Sequence, residues 1–363
     1  MANTEYTVGH AQAVSRWSKR LMKEGLKRTQ TLKFMGTGSD NLIQIKSDLN
    51  ANEGSALKIG LRMQLSGAGI SGDSALETNE EALVTYTDTL YVDQLRHAVR
   101  SIGRASEQRV AFSVRDEALD GLADWWAARY DQSFFRQVCG DNYSSSADDY
   151  RYTGMNAATD YISASDTNHV VWPSAASVNL EGTGVASQSS SAVLSLAQID
   201  AAVEQAKTIS PVVRPVTING ESYYVLFAHT KCVSDLRTNT STGQWLDIQK
   251  AAMQGGDVTR NPIFTGAAGV YNNVIIHEST YVRSGNPAAT PSSGYVYRNV
   301  LCGAQSAALA YGMGYGPNQF SWVEKLFDYE NSLGVAAGCI WGLKLLRYNS
   351  LNHSVIALPA WSA

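Results

Sequence analysis

From Leu57 to Leu65 the chain alternates apolar and polar residues without a break. Leu57, Ile59, Leu61, Met63 and Leu65 share one face, and Lys58, Gly60, Arg62 and Gln64 share the other. A period of two is the signature of a half-buried strand and is incompatible with a helix. Its predicted partner is 82–92, where Val84, Tyr86, Leu90 and Val92 line one face. Between them runs a Gly- and acid-rich tip, Ser66 to Glu81. The pattern therefore predicts a long two-stranded ribbon with one apolar face. A lone ribbon is marginal in water and needs a surface to lie on. This one is longer than its own subunit is expected to cover, so Leu61, Met63, Leu65, Tyr86 and Leu90 are candidate contacts to a neighbouring copy. Gly67, Gly69 and Gly72 would let the tip take positive φ and bend against that neighbour.

A second feature limits the architecture. Leu119, Leu122, Trp126, Tyr130 and Phe134 repeat at helical spacing within 106–138, which predicts a helix of about 50 Å, longer than a compact domain is wide. A projecting ribbon beside such a rod suggests an elongated plate or part of an assembly. Residues 42–46 also alternate. A shorter helix begins at Ser195, where a capping box pairs it with Gln198, and carries Leu196, Ile199, Val203 and Ala206. Strands are predicted at about 215–228 and 270–283, with helices near 231–238 and 243–254. The last third, 295–358, reads mostly as strand, including the apolar run Val335 to Leu346. Ser- and Gly-rich stretches at 143–149, 174–192 and 284–294 read as loops. No internal repeat is visible.

Charge is partitioned along the chain. The net charge is −4, yet residues 1–33 hold seven basic and two acidic side chains, leaving 22 basic against 31 acidic for the rest. Within 11–28, Trp17 and Leu21 fall on one side of a predicted helix, and Arg16, Lys19, Arg20, Lys23 and Lys27 on the other. This face is either solvated or an arm that docks on an acidic neighbour or on nucleic acid; Trp17 and Arg20 are its candidate contacts. Charged residues make up only 17% of the chain, below the usual ~25%, as expected where much of a surface is covered by other chains. The four cysteines, Cys139, Cys232, Cys302 and Cys339, form no CxxC or Cys/His cluster, so free thiols in a reducing compartment are expected. The longest uncharged stretch, Asn299 to Val323, contains Gln305, Pro317, Asn318 and Gln319 and is a poor membrane span. A soluble, cytosolic protein is expected.

Catalytic patterns are weak. Gly67-Ala68-Gly69-Ile70-Ser71-Gly72 matches GxGxxG, with Asp88 at dinucleotide-fingerprint distance. The preceding strand is one-sided where such a fold needs an apolar run, and no helix pattern comes after it to face a phosphate. Asp116, Asp120 and Asp124 share a helical face, but no histidine accompanies them and Arg109, Arg115 and Arg129 can compensate. The six histidines show no metal spacing, and there is no nucleophile elbow or phosphate loop. Trp125-Trp126 and Tyr223-Tyr224 read as core. No catalytic residue, metal or cofactor is assigned, and an enzyme is not supported.

Three ordered blocks resemble tailed-phage major capsid proteins, specifically the family typified by the podovirus N-four. The first is Leu65–Gly72, Glu80–Leu83 and Val92–Val99, followed by the long helix. The second is Tyr224–Lys231 with Ser234–Arg237, then Ile263–Gly269 and Val274–Glu278. The third is Leu301–Ala308, Phe327–Asn331 and the Gly338-x-x-x-Gly342 strand.

The resemblance implies an α+β chain of the Hong Kong 97-type capsid fold. On that template residues 1–33 form the N-terminal arm, 34–100 the extended loop, and 101–194 the peripheral domain with its spine helix. Residues 195–320 form the axial domain, and 321–363 return to the peripheral domain. The implied function is structural: hexamers and pentamers closing an icosahedral shell around double-stranded DNA, which is enclosed without sequence specificity. Implied partners are further copies, a portal, scaffolding and decoration proteins, with no membrane. The implied place is the virion, after assembly in the host bacterial cytoplasm. No long prodomain precedes the arm, so any scaffold is expected to be a separate protein. Two alternatives stand beside this reading: a bacterial nanocompartment shell of the same fold, and, remotely, a nucleotide-dependent oxidoreductase.

Overall fold

The computed structural model describes residues 30–49, 54–109, 113–140, 169–173, 192–218, 220–238, 267–282, 295–316, 319–349 and 351–362. The first strands are β1 (Met35–Gly36), β2 (Ile43–Lys46), the ribbon strands β3 (Ala56–Arg62) and β4 (Thr85–Tyr91), and β5 (Asp93–Arg100). Helices α1 (Arg104–Gln108), α2 (Val114–Cys139) and α3 (Leu196–Thr208) come next. They are followed by β6 (Val216–Ile218), β7 (Glu221–Ala228), α4 (Thr230–Thr238), β8 (Ala267–Tyr271) and β9 (Val274–Glu278). The chain ends in β10 (Tyr295–Cys302), β11 (Ala307–Tyr311), β12 (Ser321–Phe327), β13 (Ser332–Leu345), β14 (Arg347–Tyr348), β15 (Leu351–Asn352) and β16 (Val355–Ser362).

Two sheets share one helix. The first sheet runs β1-β2-β11-β13-β12, with β5 on the other edge of β13. The second runs β16-β10-β7-β9-β8, with β6 paired to β7. On one face of the first sheet Trp322, Trp341 and Leu343 pack against Leu122, Trp126 and Tyr130 of α2. Farther along the same helix, Phe134 and Phe135 meet Phe227 of the second sheet at ring separations of 5.6 and 5.3 Å. The stripe read from the sequence is thus a beam holding both sheets, each buried aromatic contributing about 1.5–3 kcal/mol. The far face of the second sheet is covered by α3 and α4, through Ile199, Val203, Val233 and Leu236 against Leu226, Ile276 and Leu358. Ser195 caps α3, its hydroxyl accepting from the Gln198 amide at 3.4 Å.

Several expectations are corrected. The helix predicted over 106–138 is broken into α1 and α2. Ser113 sits in an extended conformation and its hydroxyl accepts from the Asp116 amide at 3.4 Å, so a new helix starts there. The 26 residues of α2 span about 39 Å, not about 50 Å. The strand predicted at 270–283 folds back on itself, because Asn272 and Asn273 take φ of 44° and 60°, a left-handed two-residue turn. Likewise 215–228 is a hairpin, β6–β7, turning at Gly220.

The expected extended loop, 34–100, is wider than the ribbon itself: β1, β2 and β5 are members of the first sheet. The bounds expected at 195–320 and 321–363 also cut across the sheets. β11 lies in the first sheet and β16 in the second, where it pairs along all of β10. The helix predicted at 243–254 and the loops at 143–149, 174–191 and 284–294 fall outside the described residues, as do Trp17 and Arg20.

Candidate functional site

The two predicted ribbon segments pair antiparallel, with Leu57 opposite Leu90, Ile59 opposite Asp88 and Leu61 opposite Tyr86. Its apolar face does not wait for a neighbour along its whole length. Leu90, Ile59 and Val92 are buried against Leu49, Ala308, Ala310, Leu346 and Tyr348, and Leu57, Leu61 and Tyr86 pack at the margin. Leu90 is fully buried, which corrects its assignment to an interface between copies. The residues beneath it are small for a reason: Ala308 and Ala310 of β11 leave room for the ribbon to lie flat on the outer face of the first sheet.

A polar pin holds this root. Asp88 stands on the apolar face, and Lys344 of β13 forms an ion pair with its carboxylate. The same carboxylate accepts from the Arg347 amide at 3.0 Å, and the Lys344 ammonium also donates to the Thr89 carbonyl at 2.8 Å. Every polar group in the pin is therefore answered, as a half-buried charge requires. The residue that suggested a dinucleotide fingerprint is a structural anchor. Gly72 leads into an irregular tip and then β4, with no helix facing a phosphate.

The tip is organised differently. Residues 71–85 are all exposed, with Leu65, Leu76, Leu83 and Val84 between 48% and 63% exposed. Glu81 closes the loop: its carboxylate accepts from the Ser66 amide at 2.8 Å and the Gly67 amide at 2.7 Å. These amide bonds hold the Glu81 carboxyl below its ordinary range. A Cβ on Gly67 would sit 2.7 Å from that carboxylate, so a side chain here would make the Glu81 carboxylate shift. Gly69 and Gly72 take φ of 70° and 69°, the left-handed conformation. Met63 is half-buried where the ribbon leaves the body.

Where the described chain begins, a third arrangement appears. The buried Asp131 carboxylate of α2 accepts from the Gln30 amide at 2.9 Å, the Thr31 amide at 3.2 Å and the Thr31 hydroxyl at 2.8 Å. Burial raises its pKa while these three bonds oppose the rise. The segment entering the body is thereby tied to the beam helix.

Asp116, Asp120 and Asp124 lie exposed along α2, and among the described residues no three His, Cys, Asp or Glu side chains are grouped to hold a metal. All four cysteines are buried and outside any disulfide, with burial pushing the Cys232 thiol up to about 12. No helix among the described residues is long and apolar enough to cross a membrane.

Sequence reasoning brought together Leu61, Met63, Leu65, Tyr86 and the three glycines, and missed Asp88, Glu81 and Asp131 as anchors. For Asp88 there was a signal: a lone carboxylate among Val84, Tyr86, Leu90 and Val92 on an apolar face demands a partner. For Glu81 and Asp131 the partners are backbone amides, which no residue pattern marks.

Comparison with known proteins agrees with this architecture. A family model described as phage capsid protein matches residues 5–357. The major capsid protein of Pseudomonas phage KPP25 is 26% identical over 353 residues, covering 92% of this chain and 89% of that protein. The capsid of Ralstonia phage GP4 superposes with a TM-score of 0.78 at 26% identity, over 100% of this chain and 96% of its own. The Cyanophage Pam1 capsid subunit shares the fold at a TM-score of 0.71 and 19% identity, over 100% and 97% of the two chains. The α+β architecture of two sheets, beam helix and projecting ribbon is the Hong Kong 97-type capsid fold, and its role is structural. With a family model running along nearly its whole length, the chain belongs to the phage capsid protein family.

Proposed function

We propose that copies of this chain assemble as hexamers and pentamers into a closed icosahedral shell around the double-stranded DNA of a tailed phage. The enclosed DNA is held without reading its sequence. The observation that carries this reading is the distal ribbon. Leu65, Leu76, Leu83 and Val84 are set out in the loop beyond a rooted strand pair, which gives them little of their own to bury against. Covering a leucine contributes about 1.5–3 kcal/mol, and a closed shell repeats each contact in every copy. The basic balance of residues 1–33 against an acidic remainder supports an arm that reaches an acidic neighbour or the packaged DNA. On the family's pattern, a portal, a scaffold, and decoration proteins complete the particle, which forms in the host cytoplasm and persists as the virion.

Electron microscopy of the purified protein tests the proposal. Closed shells with hexamer and pentamer lattices are expected, and particles recovered from infected cells should contain DNA. Shells of one small size holding a protein cargo and no nucleic acid would favour a nanocompartment. Protein that stays monomeric under every assembly condition would overturn the reading.

A further inference from the structure

One side of α2 is acidic and open. Asp116, Glu117, Asp120 and Asp124 are exposed and recur at the spacing of a single helical face. The first two stand in the opening turn, where carboxylates answer the helix dipole. Asp120 and Asp124 lie beyond that turn and have no such role. The adjacent cation is engaged elsewhere, since Arg115 pairs with Glu324 of β12 at 2.6 Å. Among the described residues Asp116, Glu117 and Asp120 form no ion pair.

Farther along, the same side of the helix brings round Asp131, and there the stripe is covered. The Asp131 carboxylate is buried beneath Gln30 and Thr31, accepting both of their amides and the Thr31 hydroxyl. The covering segment is the root of the basic arm. The stripe thus passes from covered to open at the point where the arm leaves the body.

The arm carries a matching row of charge. Counting back from Asp131, Asp124, Asp120 and Asp116 stand 7, 11 and 15 positions away. Counting back from Gln30, Lys23, Lys19 and Arg16 stand 7, 11 and 14 positions away. The sequence predicts a helix over 11–28 with these bases on one side. Two helices leaving a common anchor side by side rise equally, about 1.5 Å per residue, so each base arrives beside an acid over roughly 20 Å. Gly121, ten positions before Asp131, is an independent sign of an occupant. A Cβ there would meet nothing within 4 Å, so alanine would fit and favour the helix. Bare backbone on an exposed face suits the close approach of a second helix, and Leu21 stands nine positions before Gln30.

We propose that residues 16–29 of each copy lie along the acidic face of that copy's own α2, with Arg16, Lys19 and Lys23 against Asp116, Asp120 and Asp124. The anchor at Asp131 makes the contact intramolecular, which lets individually weak exposed ion pairs act together. Salt should loosen it. Duplex DNA offers the arm the same charge without the matched register, and so does another copy.

The docking identifies the acidic neighbour invoked for the arm, and its readouts need no shell. Lys19→Cys with Asp120→Cys, treated with a short bismaleimide, should join within one chain and run as a compact monomer on a denaturing gel. Lys19→Cys with Glu204→Cys, on the exposed side of α3, is the control and should not join. A dimer-sized product would give the arm to another copy and overturn the proposal, as would joining no better than the control. Asp116→Lys with Asp120→Lys should speed chymotryptic cleavage at Trp17 by about tenfold while the melting temperature of the body stays put. Adding Arg16→Glu and Lys19→Glu to that variant should restore protection, which a merely damaged helix would not permit. Cleavage as fast in the parent as in the reversed variant would leave the arm free for DNA and overturn the docking. Shell formation, read by electron microscopy, stands or falls separately.

Discussion

Leu90 and Leu65 belong to the same apolar alternation of the ribbon sequence, yet Leu90, inside β4, is fully buried and Leu65, beyond the end of β3, is 57% exposed. At the root the face is spent inside the subunit, on Ala308, Ala310, Leu346 and Tyr348, with Asp88 and Lys344 fixing the angle. At the tip the same chemistry is displayed, and the loop is held in shape by glycine conformations and one carboxylate on two amides. A root residue is therefore expected to act on folding and a tip residue on the proposed association. Alternation alone does not distinguish them, because it reports which face is apolar and not what covers it.

The contrast is sharpest at the two leucines. Leu90→Ala should cost the subunit about 2–5 kcal/mol, read by chemical denaturation, because it opens a cavity in a packed site. Leu65→Ala should change stability by less than about 0.5 kcal/mol and show its effect in shell yield. Equal losses of stability at both positions would erase the distinction.

Next in size is the pin. Asp88→Ala removes the partner of a partly buried ammonium and should destabilise by about 1–3 kcal/mol. Pairing it with Lys344→Met should cost less than the two single changes added together, since neither charge is then stranded. Strict additivity in that cycle would mean the pair does not hold the root.

Gly69→Ala and Gly72→Ala meet no atoms within 4 Å, so their cost of about 1 kcal/mol each is purely conformational and confined to the tip. The denaturation midpoint should stay put while light scattering records slower assembly. A lowered midpoint would place the tip in the folding unit.

The smallest effect concerns acid. The Glu81 carboxyl is held below its ordinary value by amides that prefer the charged form. Its clamp is thus present above the ordinary carboxylate range and is lost as pH falls through the lowered value. The Ser66 and Gly67 amide resonances should shift together at that lower pH. In Glu81→Gln they should lack the transition altogether, and an identical transition in that variant would clear Glu81 of any part in it.

Much of this was legible in the residues. The Leu119-to-Phe134 stripe, the pairing of the two ribbon segments and the Ser195 cap each follow from local periodicity or a short-range hydrogen bond, although β3 stops at Arg62 and β4 starts at Thr85, short of the alternating runs. What escaped was decided by contacts far apart in the chain. Ser113 begins α2 by capping, inside a stretch predicted as one helix. Asp88 and Lys344 are 256 positions apart, and Arg100 and Ser332 are 232 apart. Likewise, β16 joins the second sheet by pairing with β10, not by any property of its own sequence. Among the expected contacts, Leu65 and the three tip glycines are exposed, whereas Leu90 belongs to the core.

The pin at Asp88 has a mechanical meaning. An extended chain spans at most about 3.3 Å per residue, so the stretch from Ile59, opposite the pin, to Gly69, beyond the end of β3, reaches at most roughly 30 Å. A tilt of about 10° at such a pivot would carry the far end sideways by about 5 Å, the spacing between neighbouring strands. Aim at the end of a lever is only as good as the stiffness of its fulcrum. In a closed surface of many identical parts, one loosened carboxylate–ammonium contact would be multiplied around the circumference as an error of curvature.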